Sequence, residues 1–427
     1  MGRRLTAMAA VAALALAACG GDDDDAADPT SPATDAPATD APATDAPSGD
    51  GTTAPPADGF DIEAAIDADL AACAPAPAGE PLKIGYAADL SDLGGFADGP
   101  GSAAAEHFVD LVNCAGGVNG TPLELTIQNI EGDPEVTVRA AQDLLDAGVS
   151  AILGPPFADF GQPLLQVTQG NLPVLFVAST EPALSDAAAL SFLVAFDDTQ
   201  QATAAAEFAL DQGWTTAVTF SSPGPYFGYN PQVFTEVFEA GGGTLLGDFN
   251  FVPLEDVEFS TQVNQIAALD EAPAVVYGAL PGFQAAPLMA QLRAAGVEPE
   301  LISSDAFEAT GGYVTDGVEG FFHTTHAFVE PGAPLDRFLT SFEAATGAPI
   351  ENPSFGGLAV DSIAVIIDAY LRTGSHDGAA LGAAIAEASG VVGVTGTLTY
   401  SGTGTPSRPV YVHQVVDGQP SLAATIG

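Results

Sequence analysis

The sequence predicts an α/β fold with two lobes, each built on a parallel sheet that is covered by helices on both faces. From residue 82 onward, short apolar runs alternate with longer amphipathic runs, a pattern typical of parallel strands connected by crossover helices. This alternation begins a second time after Asp197, which indicates two such units. The chain has 427 residues, of which 47% are hydrophobic, so each unit can have a core of its own.

The first unit opens with an apolar strand and continues in alternation. The helix expected at 134–148 begins on a proline, which is favoured in the first helical turn because its missing N–H needs no partner there. The expected strands are 82–88, 122–130, 150–154 and 172–179, and the expected helices are 101–115 and 134–148.

The second unit shows the same alternation, after which the chain returns to helices. The expected helices are 199–211, 230–241, 260–269 and 283–296, and the expected strands are 215–222, 243–252, 273–280, 299–305 and 321–328. Three further helices are expected at 334–346, 356–373 and 378–389. The last strand-like runs, 396–400 and 409–416, have turn residues between them, so we expect them to pair as an edge hairpin.

Residues 1–18 have the order of a secretory signal. Arg3 and Arg4 precede an almost uncharged apolar stretch that ends in small residues, and this stretch is shorter than the roughly 20 residues that a membrane-spanning helix needs. The sequence LAAC at 16–19 resembles the bacterial lipobox, in which the cysteine is acylated and becomes the new N-terminus. This resemblance implies an exported chain that is anchored to the outer face of the cell membrane through Cys19. A secretion signal with an incidental cysteine is the alternative.

Residues 19–56 are expected to form a disordered tether. They consist mainly of Asp, Ala, Thr, Pro, Ser and Gly, with ATDAP three times in succession, and such a composition cannot bury apolar surface. A flexible coil of this length spans about 35 Å, so the folded body can stand clear of the membrane.

Residues 57–81 are expected to dock on the body through one short helix. Ile62, Ile66, Leu70 and Cys73 recur there at helical spacing, which indicates one apolar helix face.

The chain has three cysteines. With Cys19 acylated, Cys73 and Cys114 form an even pair, and in an exported protein such a pair predicts a disulfide. Two free buried cysteines are the alternative.

The charge balance excludes nucleic acid as a partner. The chain has 56 Asp and Glu against 8 Lys and Arg, for a formal net charge of -48, whereas phosphate backbones require a basic surface. The acids are scattered along the chain, which is typical of a protein that is solvated in a saline or crowded exterior.

Nothing in the sequence indicates an enzyme or a cofactor. It has no GxSxG elbow, no HExxH helix, no phosphate loop and no GxGxxG after a strand. His323 and His326 lie on one strand-like run, where a spacing of three residues directs the two rings to opposite faces. We therefore expect no metal site at this pair.

The loops that follow the strands are the expected ligand site, because open parallel sheets bind ligands beyond the carboxyl ends of their strands. None of these loops contains a lysine or an arginine, so hydroxyls, N–H groups and helix dipoles would have to hold a ligand carboxylate. Asp305 is a candidate partner for a ligand ammonium and equally a candidate N-cap for the helix after it, and the two roles are compatible. The loops are 154–161, 178–184, 221–230, 278–283 and 303–309.

Residues 82–414 resemble the branched-chain amino-acid (Leu/Ile/Val) binding family, the type I periplasmic substrate-binding lipoproteins of ABC importers. The resemblance implies two Rossmann-like lobes joined by three crossing strands, near Phe196, His326 and Thr399, which act as a hinge. Lobe 1 would comprise 82–196 and 328–398, and lobe 2 would comprise 197–327 and 399–427. The stretches that carry the resemblance are LKIGYAADLSDLGG, GSAAAEHFVDLVNCAGGVNG, GDPEVTVRAAQDLLDAGVSAILGPPFA, LPVLFVASTEPAL, PYFGYNPQVFTEVFEAGGG and FSTQVNQI.

The resemblance also implies which residues contact a ligand. Ala158 stands where a serine is common in the family, and Leu280 where a second tyrosine often lies, so the site is less polar than usual. Phe96, Tyr226 and Leu280 have plain core packing as their alternative role. The implied contacts to the ligand carboxylate are Phe157, Ala158, Asp159, Ser179 and Thr180; those to the rest of the ligand are Phe96, Tyr226, Leu280 and Asp305.

The resemblance thus implies a monomeric capture protein without a cofactor, and not an enzyme. Its ligand would be a small solute, namely an apolar or branched-chain amino acid or an amide-like relative, which it would present to a membrane permease. The alternative is a surface sensor of the same fold that signals to a partner.

Overall fold

The computed structural model describes residues 60–427. The predictions for the signal sequence at 1–18, for lipidation of Cys19 and for the tether at 19–56 lie outside the described residues.

The first sheet has five parallel strands in the order β2-β1-β3-β4-β5. Strand β1 is buried at six of its seven positions, as expected for a parallel strand between two helix layers. We call this sheet and the helices on it lobe 1. Its strands are β1 (Leu82–Ala88), β2 (Leu123–Asn129), β3 (Ala151–Gly154), β4 (Val174–Phe176) and β5 (Ser191–Leu193).

The N-terminal segment docks on lobe 1 through helix α1 (Ile62–Ile66), with Ile62 and Ile66 buried in the core. The buried helix face was expected to continue to Cys73, but it ends earlier. The side chain of Leu70 is 39% exposed and does not belong to that face. Beyond α1 the backbone turns at Asp69, whose side chain accepts from the N–H of Ala71 at 2.9 Å.

Cys73 forms a disulfide with Cys114, with Cα atoms 4.5 Å apart. Of the two alternatives for these cysteines, the structure therefore contains the bonded pair, which fastens the N-terminal segment to the end of a long helix.

Reduction of this disulfide is expected to lower the free energy of unfolding by about 2–4 kcal/mol, because the closed loop of 41 residues restricts the unfolded chain. Thermal unfolding with and without dithiothreitol measures the effect. A double variant, Cys73→Ser with Cys114→Ser, should be destabilised from the start and should not respond to the reductant. An unchanged melting temperature of the reduced protein would contradict the prediction.

Of the first four helices on this sheet, α3 begins where it was expected, α2 begins earlier, and α4 and α5 were not expected. Helix α3 starts at Pro134, and the side chain of Asp133 accepts from the N–H of Glu135, as in a standard N-cap. Helix α2 starts at Gly95, six residues before the expected position. The later start was expected because the Gly-Pro-Gly sequence at 99–101 resembles a turn. The helices are α2 (Gly95–Cys114), α3 (Pro134–Asp146), α4 (Ala158–Thr168) and α5 (Pro182–Asp186).

The second sheet contains five parallel strands in the order β10-β9-β8-β6-β7. We call this sheet and its helices lobe 2. Its strands are β6 (Thr216–Ser221), β7 (Thr244–Asn250), β8 (Val275–Gly278), β9 (Glu300–Ser303) and β10 (Phe322–Thr325). Its helices are α6 (Asp198–Asp211), α7 (Tyr229–Ala240), α8 (Ser260–Ala267), α9 (Gly282–Ala294) and α10 (Ala306–Ala309), with a 3₁₀ turn at Gly312–Val314.

The chain then returns to lobe 1 with three helices, α11 (Pro334–Thr346), α12 (Pro353–Thr373) and α13 (Gly378–Ala386). Helix α12 packs along α2. It is the one helix among residues 60–427 that is long and apolar enough to cross a membrane, but 83% of that apolar stretch is buried inside the body. We therefore describe α12 as the central core helix of lobe 1.

The hairpin expected between 396–400 and 409–416 is wrong. Strand β12 (Thr397–Leu398) pairs with β11 (Val391–Val392), whereas β13 (Val410–Val416) lies antiparallel to β10 and to β14 (Gln419–Ile426). The true turn is Asp417-Gly418, with φ of 54° and 69°, and an Asp-Gly pair with positive φ favours a two-residue hairpin. The mostly exposed strand β14 has little apolar periodicity and was not expected.

Residues 400–405, which we expected in lobe 2, pack on lobe 1. The hydroxyl of Tyr400 donates to the carbonyl of Leu193 at 2.8 Å, and the N–H of Leu193 donates to the carbonyl of Gly404 at 2.8 Å. The third connection therefore reaches lobe 2 only with β13.

Candidate ligand-binding cleft

Asp305 is the centre of the candidate site on lobe 2. It is buried directly after β9, and the Tyr226 hydroxyl donates to its Oδ1 at 2.5 Å. The Ser304 hydroxyl lies 2.7 Å from the same tyrosine oxygen, and the N–H of Ala306 donates to that oxygen at 3.1 Å. These contacts fix the tyrosine against the start of α10.

The side chain of Asp305 does not fill its candidate role as a helix N-cap. Asp305 is the N-cap residue of α10, but its side chain makes no capping hydrogen bond. Its carboxylate is turned toward Tyr226 and His326 instead, with His326 Nε2 at 3.2 Å from Oδ2. Although burial alone would raise the pKa of Asp305, the hydrogen bonds from His326 and Tyr226 hold it below its usual value, so this carboxylate is ionised at neutral pH.

His326 is neutral and donates to Asp305. Its ring stacks on Phe196 with centroids 4.0 Å apart, and burial lowers its pKa. Its Nδ1 is buried without a hydrogen-bond partner, so a proton there would be unsatisfied. The proton therefore belongs on Nε2, which leaves Asp305 with a full negative charge.

Gln201 connects Asp305 to the first lobe. Its Oε1 accepts from the N–H of Asp305 at 3.3 Å, and its Nε2 donates to Oδ1 of Asp198 at 2.7 Å. The N–H of Asp198 in turn donates to the carbonyl of Thr180 at 2.8 Å. The loop after β4 in lobe 1 and Asp305 in lobe 2 thus belong to one hydrogen-bond network.

Two other acids lie close to Asp305, and both titrate above it. Burial raises the pKa of Asp198 well above its usual value, and the negative charge of Asp305 raises it further. Burial also raises the pKa of Glu308 to about 7, against the hydrogen bonds from Thr325 and Ser354. Asp305 is therefore the group of this cluster that carries a charge throughout the neutral range.

Lobe 1 contributes backbone donors and hydroxyls. Phe157 is the N-cap residue of α4 and makes no side-chain capping bond, so the N–H groups of Ala158 and Asp159 have no intrahelical partner. Such a helix start attracts an anion. Ser179 and Thr180 are both buried after β4, and the Ser179 hydroxyl accepts from the N–H of Glu181 at 3.5 Å.

Three phenyl rings extend along lobe 1 beside these donors. Phe96 lies 6.0 Å from Phe157 and 5.7 Å from Phe355, between ring centroids, and Phe355 lies 5.9 Å from His326. Phe355, which sequence reasoning missed, is in the first turn of α12, where only the packing of α12 on α2 places it beside Phe96.

Leu280 does not reach the cleft. Its side chain is fully buried in the apolar core of lobe 2, and its N–H donates to the Ser303 hydroxyl at 3.0 Å. Of its two candidate roles, the structure therefore gives it the core role.

Sequence reasoning also missed His326, Asp198 and Gln201 as neighbours of Asp305, whereas Glu308 lies in the expected loop 303–309. A signal existed for Asp198 and Gln201, since both lie in the first turns of the helix that follows the first connection between lobes. His326 was considered as a metal ligand together with His323 and as the place of the second crossing strand, but not as a partner of Asp305.

His323 belongs to a separate cluster in lobe 2. Its Nδ1 donates to the carbonyl of Thr324 at 3.0 Å, so its Nε2 accepts from the Tyr313 hydroxyl at 2.6 Å. Nδ1 of His413 lies 3.0 Å from the same hydroxyl oxygen and donates to it. Within residues 60–427 no group of three or more His, Cys, Asp or Glu is placed to hold a metal ion.

The His323 and His413 pair is expected to make the fold sensitive to acid. Burial lowers the pKa of His323 to about 4 and that of His413 to about 3, below the value of about 6.5 in an unfolded chain. Protons therefore bind preferentially to the unfolded chain as the pH falls below 6.5, and at pH 5 each histidine should cost about 2 kcal/mol of stability.

Urea unfolding at pH 7 and pH 5 of the wild type and of His413→Gln tests this expectation. The stability lost between the two pH values should be about 2 kcal/mol smaller in the variant. Equal losses in the two proteins would contradict it, whatever the effect of the substitution at pH 7.

A groove of about 690 Å³ lies beside strand β5. None of the predicted ligand contacts lines it. Its walls include Ser185, Asp186, Phe192, Asp197, Thr403 and Thr405.

Comparisons with known proteins agree with the predicted fold. A family model described as "Periplasmic binding protein" matches residues 81–420. The Leu/Ile/Val-binding protein homolog 3 of Brucella melitensis is 27% identical to the chain over 319 residues, which are 72% of this chain and 83% of that protein.

Two solved structures show the same architecture. A branched-chain amino acid transporter substrate-binding protein from Streptococcus pneumoniae, in complex with isoleucine, superimposes with a TM-score of 0.68 at 17% identity, covering 81% of this chain and 99% of that one. A solute-binding protein of an ABC transporter from Rhodopseudomonas palustris, in complex with p-hydroxybenzoic acid, gives a TM-score of 0.67 at 19% identity, covering 81% and 97%. The predicted fold class, two α/β lobes of the type I periplasmic binding protein fold, is confirmed.

Proposed function

The chain belongs to the periplasmic binding protein family, and from this premise we propose that it captures an amino acid between its two lobes and delivers it to an ABC importer. The family consists of solute-binding proteins, so the chain is not an enzyme. Its relatives are described as binding Leu/Ile/Val, isoleucine or p-hydroxybenzoic acid, so the ligand class must come from the residues of this chain.

The single observation that carries the proposal is the buried carboxylate of Asp305, which Tyr226 and His326 hold in place. It is buried, receives hydrogen bonds from Tyr226 and the neutral His326, and has no lysine or arginine among the loops around it. An ammonium group is the natural partner for such a charge. The ligand carboxylate would then lie on lobe 1, at the start of α4 and at Ser179 and Thr180, where donors without a positive side chain suit one carboxylate.

Capture is proposed to proceed by closure of the lobes about their three connections. Ligand contacts come from both lobes, so a ligand that bridges them favours the closed form over the open one. The closed form would be the one recognised by the membrane permease, and the protein would act as a monomer.

The protein is further proposed to be exported and lipid-anchored through Cys19, with residues 19–56 as its tether. Family membership supports a location outside the cytoplasm, and the lipobox-like sequence at 16–19 supports the anchor. Several acyl chains on one cysteine hold a membrane stably, whereas a single chain does not. Recovery of the Cys19→Ser variant in the medium or in the soluble extract, and of the wild type in membranes, tests the anchor.

A surface sensor of the same fold is the second candidate function. Deletion of the gene and measurement of labelled amino-acid uptake separates the two. Loss of uptake supports import, whereas normal uptake with an altered cellular response to the amino acid would support sensing.

A further inference from the structure

The row of phenyl rings on lobe 1 is assembled from three separate elements. Phe96 lies at the start of α2, Phe157 directly before α4 and Phe355 at the start of α12. Phe355 is 2% exposed and backs onto the core, whereas Phe157 is 40% exposed and Phe96 is partly buried. The row therefore has a packed back and an accessible front.

One end of this row meets the charged centre of the cleft. Phe355 packs against His326, and His326 donates to Asp305. A ligand whose ammonium group rests on Asp305 can therefore place its side chain on the accessible front of this row, at Phe96 and Phe157. The only predicted contact on lobe 2 that adds a ring is Tyr226, since Leu280 is in the core.

The rings are already inclined to one another as aromatic pairs prefer. The planes of Phe96 and Phe157 meet at 54°, and those of Phe96 and Phe355 at 68°, with centroids 6.0 Å and 5.7 Å apart. A further ring can join in the same tilted or edge-to-face geometry, and each such pair is worth roughly two- to tenfold in affinity beyond the area it buries. An aliphatic side chain buries area but has no ring edge to offer.

We infer that the cleft selects an amino acid with an aromatic side chain, of which L-phenylalanine is the simplest. The inference rests on the proposed function and specifies its ligand class: the ammonium lies on Asp305, the carboxylate at the start of α4, and the ring against Phe96 and Phe157. The loops around the cleft bring no lysine or arginine, so a second acidic group on the ligand is disfavoured.

Titration calorimetry on the full-length chain with L-phenylalanine, L-leucine and benzoate tests the inference. The wild type should bind L-phenylalanine at least about fivefold more tightly than L-leucine. The double variant Phe96→Leu with Phe157→Leu should lose that preference and bind L-leucine within about twofold of the wild type.

Phe60→Leu is the matched control. Phe60 is a partly buried phenylalanine on the N-terminal segment that packs edge-on against Phe108, 6.3 Å away, so the same chemical change occurs far from the cleft. The preference of the Phe60→Leu variant for L-phenylalanine over L-leucine should equal that of the wild type. The melting temperatures of all variants verify that they are folded. The comparison of L-phenylalanine with L-leucine on the wild type does not depend on any variant.

The remaining outcomes are distinguishable. L-leucine binding as tightly as L-phenylalanine, or a preference that survives in the double variant, would overturn the aromatic inference and leave amino-acid capture intact. Binding of neither amino acid would overturn both. Binding of benzoate alone would also overturn both, because benzoate has no ammonium group for Asp305.

Discussion

Replacement of Asp305 by asparagine is expected to weaken amino-acid binding by about tenfold or more. The substitution keeps the size of the side chain and its acceptor for the Tyr226 hydroxyl, but it removes the charge that His326 and Tyr226 hold in place. A charge-assisted hydrogen bond contributes about 1.5–3 kcal/mol, and an uncharged amide recovers little of it. Calorimetry with L-leucine and L-phenylalanine measures the loss.

Asp316→Asn is the matched control for this prediction. Asp316 is an exposed acid in a loop of the same lobe. Its substitution changes the net charge of the protein by the same amount as Asp305→Asn but leaves the residues of the cleft unchanged. Its affinity should equal that of the wild type. An affinity of Asp305→Asn as high as that of Asp316→Asn would remove Asp305 from the site.

Replacement of Arg408 by methionine is expected to lower the free energy of unfolding by about 3–5 kcal/mol. The arginine is 5% exposed, and its guanidinium donates to the carbonyl of Val194 at 2.7 Å and to that of His326 at 3.0 Å. It also donates to the Thr395 hydroxyl at 2.5 Å. Val194 and His326 lie at the first two connections between the lobes, and Arg408 itself lies on the third, so one cation joins all three.

Burial raises the pKa of the Asp361 carboxyl, and the nearby charge of Arg408 opposes that rise. That carboxylate accepts from the N–H groups of Val394 and Thr395 at 2.5 Å and 3.3 Å. Without the arginine, two carbonyls lose their donors, and the fully buried acid loses its counter-charge, which is why the expected loss exceeds that of an ordinary substitution.

Arg372→Met is the control for Arg408→Met. Arg372 forms a salt bridge at 2.6 Å with Asp368, one turn away on α12, with the two side chains 35% and 26% exposed. Such a surface pair contributes at most about 1 kcal/mol. Guanidinium unfolding curves for the two variants should therefore differ clearly. Similar midpoints would show that Arg408 does not stabilise the connections as proposed.

Local signals predicted most elements of the fold. Residues 82–88 and 334–346 form a strand and a helix with the expected bounds, because apolar periodicity, caps and prolines act within a few residues. Two predictions were wrong, namely the late start of α2 and the hairpin at 396–416, because these features are not set by local signals. In both cases the local turn signals were weaker than the packing and pairing with residues far along the chain.

The candidate site was predictable only in part. Tyr226 and Asp305 were expected from the resemblance, and the structure brings them into direct contact across 79 residues. His326 had no signal as a partner of Asp305, because their contact joins residues 21 positions apart on the segments that follow two different strands. Leu280 was predicted as a ligand contact but lies in the core of lobe 2. The sequence of a loop does not indicate the direction in which an apolar side chain points.

The sequence by itself therefore determined the α/β alternation and the two units, since both depend on the local order of apolar and polar residues. Only the tertiary structure decided the role of Asp305, whose cap position at α10 is local but whose hydrogen bonds come from Tyr226 and His326. It also decided that Phe96, Phe157 and Phe355 form one row and that Arg408 joins three connections. These features depend on distances between remote segments, which burial of the cores sets and which no local pattern records.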